Sequence, residues 1–351
     1  MRVIDPLLIT NSNLTQSTIF ESEVQNFNAN TVYELGAIVG DALAYGKPQT
    51  IWKALLAGNQ NKPLEESVYW TNQGVVYRTF ILSSTAGLDD IVTELATHSL
   101  YKSLAAGNAD NPLTDATKWK YIGKTNKFKM FDYTRNDVTT APGSLTIVLT
   151  PGKRVNSVAL KGIQANAFTL SVSSGGGVVY SKSGTLNTRI TTTWSEYFYG
   201  EFTTLKSLAF FDIPLFTDSI ITVTLTATSG SVAISTAVIG SFVELGQTLT
   251  NARNDILNFS KVTRDADNNA ILVPLRNIPK SKQQVLVDKS SIGKVVQLRD
   301  KLNGKPAIWY GLSNPNDGYF DAVSILGFYR NFELELGEGG KSIINLELEE
   351  V

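Results

Sequence analysis

The sequence contains no cysteine and a single histidine, and charged residues make up only 18% of its 351 residues. Without thiols, the chain has no disulfide framework, no zinc–thiolate site, no iron–sulfur cluster and no cysteine nucleophile. A single imidazole excludes every metal site that needs two histidines, including the H-E-x-x-H pattern. We therefore expect neither a metal site nor a cofactor.

An excess of charge of one sign is also missing, because 31 Lys and Arg residues oppose 32 Asp and Glu residues. A near-neutral chain lacks the basic surplus of a nucleic-acid binder, so we expect no nucleic-acid partner. No run of about 18 apolar residues is present, which predicts no membrane insertion. Polar residues follow the charged start of the chain, so we also expect no N-terminal export signal.

An internal repeat is the strongest feature that the sequence does contain. Residues 51–74 read IWKALLAGNQNKPLEESVYWTNQG, and residues 100–123 read LYKSLAAGNADNPLTDATKWKYIG. The offset is constant at 49 residues, so that Trp70 corresponds to Trp119. We expect two copies of a small β module, at about 31–76 and 77–124, each built as strand, turn and strand. Residues 1–30 would then form an N-terminal arm.

Turn signals divide each module and the region that follows. Gly58-Asn59 and Gly107-Asn108 are typical of turns, because both residue types tolerate positive φ. Between 125 and 245, short β-branched runs alternate with such signals, which predicts an antiparallel β-sandwich, with Gly175–Gly177 at a hairpin tip. The predicted strands are Ser144–Thr150, Ser157–Leu160, Phe168–Val172, Val178–Ser181, Ser219–Thr226 and Ser231–Ile239.

The last third of the chain, 246–351, mixes helical and strand patterns. Gly246–Asn258 is predicted as a linker. Ser290–Leu302 is predicted as a helix, with Ser290 or Asp288 as its cap and Gly304 just beyond its end. The strands predicted around this helix are Gln284–Val287, Pro306–Leu312, Leu326–Leu336 and Ser342–Val351. The fold class is therefore mainly β and multidomain: tandem modules, a sandwich and a C-terminal α+β unit.

Sites for chemistry are scarce. A Ser-His-Asp triad would have to use His98, but no G-x-S-x-G elbow is present, and we expect a surface or strand-end histidine. Asp265-Ala266-Asp267-Asn268-Asn269 opens like a calcium loop, yet Arg276 replaces the glutamate at loop position 12, so a hairpin turn is favoured. Asp89-Asp90 is interpreted as a solvated pair. We expect no catalytic residues and no enzyme activity.

Aromatic residues are the best functional lead, and they concentrate in the repeats. Exposed flat rings stack on sugar faces, and they also form protein interfaces. Trp70 and Trp119 are expected to be the small cores of their modules, since little else there can be buried. Asn59 and Asn108 are interpreted as turn formers. The candidate carbohydrate-binding residues are Trp52, Tyr69, Tyr101 and Tyr121.

The repeat resembles the small chitin- and carbohydrate-binding modules of bacterial hydrolases and phage tail proteins. The first copy carries this likeness in Tyr33-x-x-Gly36, Trp52-Lys53-Ala54, Gly58-Asn59, Pro63 and Trp70. The second copy keeps Tyr101-Lys102-Ser103, Gly107-Asn108, Pro112 and Trp119 but has no Tyr-x-x-Gly at the corresponding place.

The order of motifs along nearly the whole chain is similar to a family of tailed-bacteriophage tail-tip or baseplate proteins. These motifs are Arg2–Pro6, Trp119-x-x-Ile122-Gly123, Met130-Phe131-Asp132, Phe259-Ser260-Lys261, Pro306–Gly311 and Phe332-Glu333-Leu334 followed by Leu346-Glu347-Leu348. The resemblance implies a virion protein of the phage tail, made in the host cytoplasm. By topology alone, the C-terminal unit also resembles the ring-forming folds of tail-tube and distal-tail proteins.

Two functions follow as expectations. In the first, the chain is a structural component of the tail tip or baseplate, assembled in a ring with copies of itself and contacting other tail proteins through its C-terminal β unit. In the second, the repeats and the sandwich bind host cell-surface glycan, with affinity supplied by many copies on one virion. The two functions are compatible with each other.

Overall fold

The computed structural model describes residues 1–41, 45–135, 137–188, 193–201, 203–315, 317–337 and 340–351. Its strands are β1 (Arg2–Pro6), β2 (Leu14–Ser17), β3 (Ile38–Gly40), β4 (Pro48–Ala54), β5 (Trp70–Tyr77), β6 (Ile91–Glu94), β7 (Ser99–Ser103), β8 (Trp119–Lys124), β9 (Thr139–Leu149), β10 (Ser157–Lys161), β11 (Ala167–Ser174), β12 (Gly177–Thr185), β13 (Asn187–Thr188), β14 (Thr203–Thr204), β15 (Ser207–Phe210), β16 (Ile220–Ile234), β17 (Thr236–Glu244), β18 (Gln247–Thr248), β19 (Arg253–Leu257), β20 (Lys261–Arg264), β21 (Ala270–Val273), β22 (Ile278–Asp288), β23 (Ala307–Tyr310), β24 (Ser324–Glu335) and β25 (Lys341–Glu350). The α-helices are α1 (Trp194–Tyr199) and α2 (Ile292–Lys301). The mainly β class with several antiparallel sheets and a short C-terminal helix is confirmed.

A ten-stranded sheet runs through the middle of the molecule. Its order is β15-β10-β17-β1-β23-β24-β25-β22-β18, and β19 also pairs with β22. Strand β1 lies inside this sheet, where Arg2 is opposite Glu244 on one side and Tyr310 on the other. Residues 1–30 therefore do not form a separate arm: β1 joins strands from the predicted sandwich to strands from the predicted C-terminal unit.

The expected boundary at residue 246 is also crossed by this sheet. Strands β10, β15 and β17 come from the region before the boundary, and β18, β19 and β22–β25 come from the region after it. The predicted linker Gly246–Asn258 contains β18 and β19, both hydrogen-bonded to β22. A hydrogen bond also joins the two regions, since the Lys161 side chain donates to the Ser324 carbonyl oxygen at 2.9 Å.

A second, five-stranded sheet packs over one end of the first, which produces the expected sandwich. Its order is β12-β11-β16-β9-β2. Alternating residues such as Leu149, Val172 and Ile221 face inward and meet Val158 and Ile239 from the ten-stranded sheet. Burial of these aliphatic side chains is the main stabilising contribution to this half of the molecule.

Strand β16 differs from its prediction. The sequence predicted two strands here, Ser219–Thr226 and Ser231–Ile239, with a turn at Ser229-Gly230 between them. Instead, β16 continues through these two residues to Ile234, and the chain bends at Ser235 before β17. The pairing of β16 with β9 shifts between Thr226 and Ser231, because the extra residues bulge out opposite Gly143. Gly143 and Gly230 both have positive φ, which such an irregularity requires. Gly175 and Gly176 form the expected hairpin tip between β11 and β12.

Helix α2 covers one face of the C-terminal strands. Its Val295 and Leu298 are buried against Val285, Ile344 and Trp309. A short 3-10 turn, Lys289–Ser291, precedes the helix. The predicted capping side chains, those of Ser290 and Asp288, are not used, because the N-cap residue is Ser291 and it makes no side-chain cap hydrogen bond. The other face of β23 and β24 is apolar as well, since Ile308, Tyr310 and Leu326 pack there with Phe320.

The repeats form two three-stranded sheets, β3-β4-β5 and β6-β7-β8. The expected strand Thr31–Val39 is reduced to β3, preceded by an isolated bridge between Tyr33 and Asn59. Val39 is opposite Trp52, and Val92 is opposite Tyr101, so the connection in the first copy is four residues longer. Corresponding residues of the two copies are therefore 53 positions apart in the first strands, where Val39 corresponds to Val92. They are 49 positions apart from the second strands onward, where Trp52 corresponds to Tyr101.

Candidate functional site

Each repeat module has a buried tryptophan at its centre. Trp70 is 1% exposed and Trp119 is 3% exposed, which confirms that they are core residues. Phe27 meets Trp70 edge-on with ring centroids at 5.7 Å, and Phe80 meets Trp119 in the same way at 5.6 Å. The two phenylalanines are 53 residues apart, the same spacing as between the first strands of the two copies. The repeat therefore includes residues on the N-terminal side of β3 and β6.

Asn59 and Asn108 hold corresponding positions in the two modules and have corresponding hydrogen bonds. Both are buried, and each side-chain amide donates at 3.1 Å to a backbone carbonyl, that of Tyr69 in the first copy and of Lys118 in the second. Their backbones also bridge to Tyr33 and Ala86. These amides stabilise the loop in front of each tryptophan. The positive φ of each turn is that of Gly58 and Gly107, so the asparagines contribute through their side-chain bonds and not as the turn residues that were expected.

The four candidate sugar-binding residues are not brought to one place. Trp52 is half-buried against the core of the first module, and within the described residues its indole Nε1 is buried with no hydrogen-bond partner. Tyr69 is also half-buried, and the Lys62 ammonium lies 4.6 Å from its ring centroid. The strand partners of Trp52 in the described part of the first module are Val39 and Asn72, and neither carries a ring.

In the second module, Tyr101 and Tyr121 do lie together. They are directly opposite each other on β7 and β8, and their rings are in an edge-to-face arrangement at 5.8 Å. The Arg135 guanidinium lies 4.9 Å from the Tyr121 ring centroid, and Tyr121 is 37% exposed. Burial raises the pKa of both phenols, so each hydroxyl stays protonated at neutral pH and is able to donate a hydrogen bond. Of the four candidate residues, these two are the ones that the structure brings together.

His98 is buried and not at the surface, and of the two expected positions the strand end is the one observed, since β7 begins at the next residue. Its Nδ1 lies 2.7 Å from Oε1 of Glu21, and its ring stacks on Phe128 with centroids at 3.5 Å. The hydroxyl of Thr125 donates to the same Glu21 oxygen at 2.8 Å. In a catalytic triad the imidazole lies between carboxylate and hydroxyl, but here the carboxylate lies between the other two groups. The cluster ties the second module to the N-terminal segment.

The acidic motifs also serve local structure. Asp265 accepts hydrogen bonds from the backbone N–H groups of Asp267 and Asn269, at 3.0 and 2.8 Å, and closes a hairpin turn. Donation from Asn269 lowers the pKa of the Asp265 carboxyl. Asp90 is buried and ion-paired with Lys47, unlike the solvated residue expected. Across the described ranges, no group of three or more His, Asp or Glu side chains is arranged to hold a metal ion.

Two exposed apolar features were missed by the sequence reasoning. The first is α1, in which Trp194 is 80% exposed and Tyr199 is 85% exposed. Phe198 stacks on Trp194, and Tyr197 meets Phe198 edge-on. A capping box between Thr193 and Glu196 starts this helix. The sequence does indicate this aromatic cluster, since the hexapeptide WSEYFY contains four aromatic residues.

The second missed feature is the hairpin β20–β21. Every residue of both strands is exposed, and the apolar ones are Val262, Ile271, Leu272 and Val273. Val262 is opposite Leu272 on one face, while Val273 and Ile271 lie on the other. The hairpin starts beyond Leu257 of β19 and returns at Ile278 of β22, two residues that face each other at its base.

The chain matches no protein-family model, and no curated protein or solved structure was found to be similar to it. Among the helices that the structure describes, none has the length and apolar character needed to cross a membrane.

Proposed function

We propose that the chain is a structural subunit of a tailed-bacteriophage tail tip or baseplate, which assembles with copies of itself through its C-terminal strands and displays the repeat modules. The resemblance of the motif order supports the virion role. The observation that carries the self-assembly is the hairpin β20–β21, whose apolar side chains are exposed on both faces.

A two-stranded hairpin with no face to pack against is at best marginally stable in water. Its strand β21 reads Ala-Ile-Leu-Val, with neither a charge nor a proline to prevent edge pairing. Native proteins normally cover such an edge. The hairpin is nevertheless held at its base, since Leu275 N–H donates to the Ser260 hydroxyl at 3.2 Å and Arg276 pairs with Glu350 at 3.3 Å. It is therefore built to project and to be covered by another chain.

The direction of assembly follows from the position of the hairpin in the sheet. The hairpin extends from the β19–β22 side of the ten-stranded sheet, whereas the opposite edge is β15. Contact between two different surfaces is heterologous, and repeated copies then close into a ring if the rotation permits. We infer a ring with the repeats on its periphery.

Light scattering on the size-fractionated chain tests this function. We expect a mass that is a multiple of 38.2 kDa. The double variant Val262→Asp/Leu272→Asp introduces charge on one hairpin face, and we expect it to be monomeric at the same concentration. Val178→Asp is the matched control, because Val178 is 69% exposed on β12 of the other sheet. A monomeric native chain, or a double variant that assembles normally, would contradict the proposal.

Host-glycan binding is the second candidate, and two observations favour it: the Tyr101–Tyr121 pair and the exposed rings of α1. A glycan array probed with the multivalent chain tests it. We expect Tyr121→Ala or Trp194→Ala to abolish the signal, while Tyr319→Ala, at an exposed tyrosine outside both surfaces, leaves it intact. Absence of any bound glycan would remove this candidate and leave the structural function unaffected.

A further inference from the structure

We propose that the hairpin β20–β21 of one copy docks in the groove beside β15 of the next copy, where β21 adds a strand to the free edge of the ten-stranded sheet. This inference depends on the proposed self-assembly and names the two surfaces that meet. The occupant is thus a second copy of this chain, and the contact is β-strand addition.

The groove lies along an unpaired strand edge and is only partly apolar. It has a volume of about 580 Å³; Phe168, Leu205, Leu208, Phe210 and Phe211 give it an apolar part, and Arg2, Lys182, Asp212 and Asp321 line it as well. Strand β15 pairs only with β10, so its outer edge is free of strand partners within the described part of the chain. A four-residue free edge beside the apolar part of the groove suits a short apolar strand.

Two side chains at this groove have polar atoms without a partner. Ser207 Oγ and Arg2 Nε are both buried, and neither has a hydrogen-bond partner among the described residues. Buried polar atoms are nearly always paired, so two unpaired atoms beside one groove are unusual. The Arg2 guanidinium is held in place, since it lies 4.8 Å from the Phe211 ring and 4.9 Å from the Phe242 ring. Of the two, Ser207 lies on β15 itself, so a strand added at that edge passes beside its hydroxyl.

The hairpin complements this groove in size and in character. Strand β21 has four residues, as β15 has, and its Ile271, Leu272 and Val273 need an apolar surface. The hairpin and the groove lie at opposite ends of the strand order of the ten-stranded sheet, so in a ring each is able to meet a different neighbour. Each copy therefore gives a hairpin to one neighbour and receives one from the other.

Cross-linking between copies tests the contact directly. The native chain has no cysteine, so every engineered thiol is the only reactive one in its copy. We would mix Leu272→Cys protein with Leu205→Cys protein and add a short bismaleimide. We expect a covalent dimer that contains one copy of each variant. Leu336→Cys is the control for the groove position, because Leu336 is 75% exposed at the end of β24 and lies outside the groove.

A second variant measures the strength of the contact. Leu205→Asp replaces an apolar lining residue of the groove with a carboxylate, and we expect the protein concentration at half-assembly to rise at least about tenfold, because the contact with the apolar hairpin side chains is lost and the charge is desolvated on docking. Leu336→Asp should leave that concentration unchanged. Leu205 is 39% exposed, so this substitution tests docking with little effect on folding, and a melting curve verifies the fold.

The outcomes separate the docking site from the proposed function. If the native chain assembles but Leu272→Cys links to Leu336→Cys, to other Leu272→Cys copies only, or to nothing, the groove is not the receptor for the hairpin. The docking proposal is then overturned and self-assembly stands. If the native chain is monomeric, the proposed function itself fails. Specific linkage to Leu205→Cys, together with weakened assembly of Leu205→Asp, supports both.

Discussion

Glu21 and His98 lie 77 residues apart in the sequence, and their Oε1 and Nδ1 atoms are joined by a hydrogen bond of 2.7 Å. Both side chains are only 9% exposed, and Lys127 lies 3.7 Å from the other Glu21 oxygen. The same imidazole stacks on Phe128. The His98 side chain thus connects the turn between β6 and β7 to Glu21 in the N-terminal segment and to Phe128 after β8.

His98→Ala should therefore destabilise the protein. The substitution removes the stacking contact and leaves a buried carboxylate with fewer partners, so we expect a loss of about 2–3 kcal/mol in the free energy of unfolding. Urea denaturation measures it. The neighbouring Thr97→Ala, at an exposed position, should change stability by less than about 0.5 kcal/mol. Equal effects of the two substitutions would contradict a fastening role for His98.

Asn59→Ala and Asn108→Ala should act alike, since the two side chains have corresponding bonds in the two modules. Each substitution leaves a buried carbonyl without its donor, and we expect a loss of about 1–3 kcal/mol. Asn108→Ala should cost more, because its amide also donates to the Ser103 hydroxyl at 3.0 Å. Thermal unfolding followed by tryptophan fluorescence measures both, with Gln73→Ala as control, because the half-buried Gln73 side chain bonds to the adjacent Asn72 carbonyl. No change in either variant would refute the equivalence of the two modules.

The carboxylate of Glu349 predicts a pH dependence. Hydrogen bonds from Arg330, at 2.9 and 2.8 Å, lower its pKa in the folded protein, with help from Lys280. A group with a depressed folded pKa contributes stability that is present above its usual pKa and is lost as the pH falls through the folded pKa. Stability should therefore decrease on acidification below about pH 4.

Glu349→Gln tests that dependence. We expect the variant to be less stable by about 1–2 kcal/mol at pH 7, because the charge-assisted bonds to Arg330 are weakened. Its stability should also fall less steeply with acid than that of the native chain. Denaturant titrations at pH 7, 5, 4 and 3 provide the comparison. Parallel curves for both proteins would show that Glu349 makes no such contribution.

The rings of α1 should be dispensable for folding. Trp194 and Tyr199 are among the most exposed aromatic residues described, so Trp194→Ser/Tyr199→Ser should shift the unfolding free energy by no more than about 0.5 kcal/mol. Circular dichroism melts measure this. A large destabilisation would indicate that the rings pack on the protein, contrary to their exposure.

Part of the architecture was predictable because it depends on residues that are close together in the sequence. Alternation and turn residues gave the sandwich strands, and the constant offset of 49 residues gave the second half of each module. The first half of the second module was not recognised as a repeat, because Ala86 corresponds to Tyr33 and Asp89 corresponds to Gly36. Asp89 keeps the positive φ that Gly36 has, which an aspartate tolerates, so the backbone is preserved without the sequence signature.

The rest depended on contacts distant in sequence. Nothing near Arg2–Pro6 indicates that this strand pairs with residues 240–244 and 308–310, since antiparallel pairing across such distances leaves no local signal. The same holds for Glu21 and His98. Among the candidate aromatics, the sequence identified Tyr101 and Tyr121 but not their partner Arg135, and it did not reveal that Trp52 is half-buried against the core of its own module.

Negative-stain electron microscopy of the purified full-length chain tests the central claim most directly. The account predicts closed rings of uniform diameter, which disappear when Val262→Asp and Leu272→Asp are introduced together. Fields of single particles at every concentration, or rings that persist in the double variant, would contradict it.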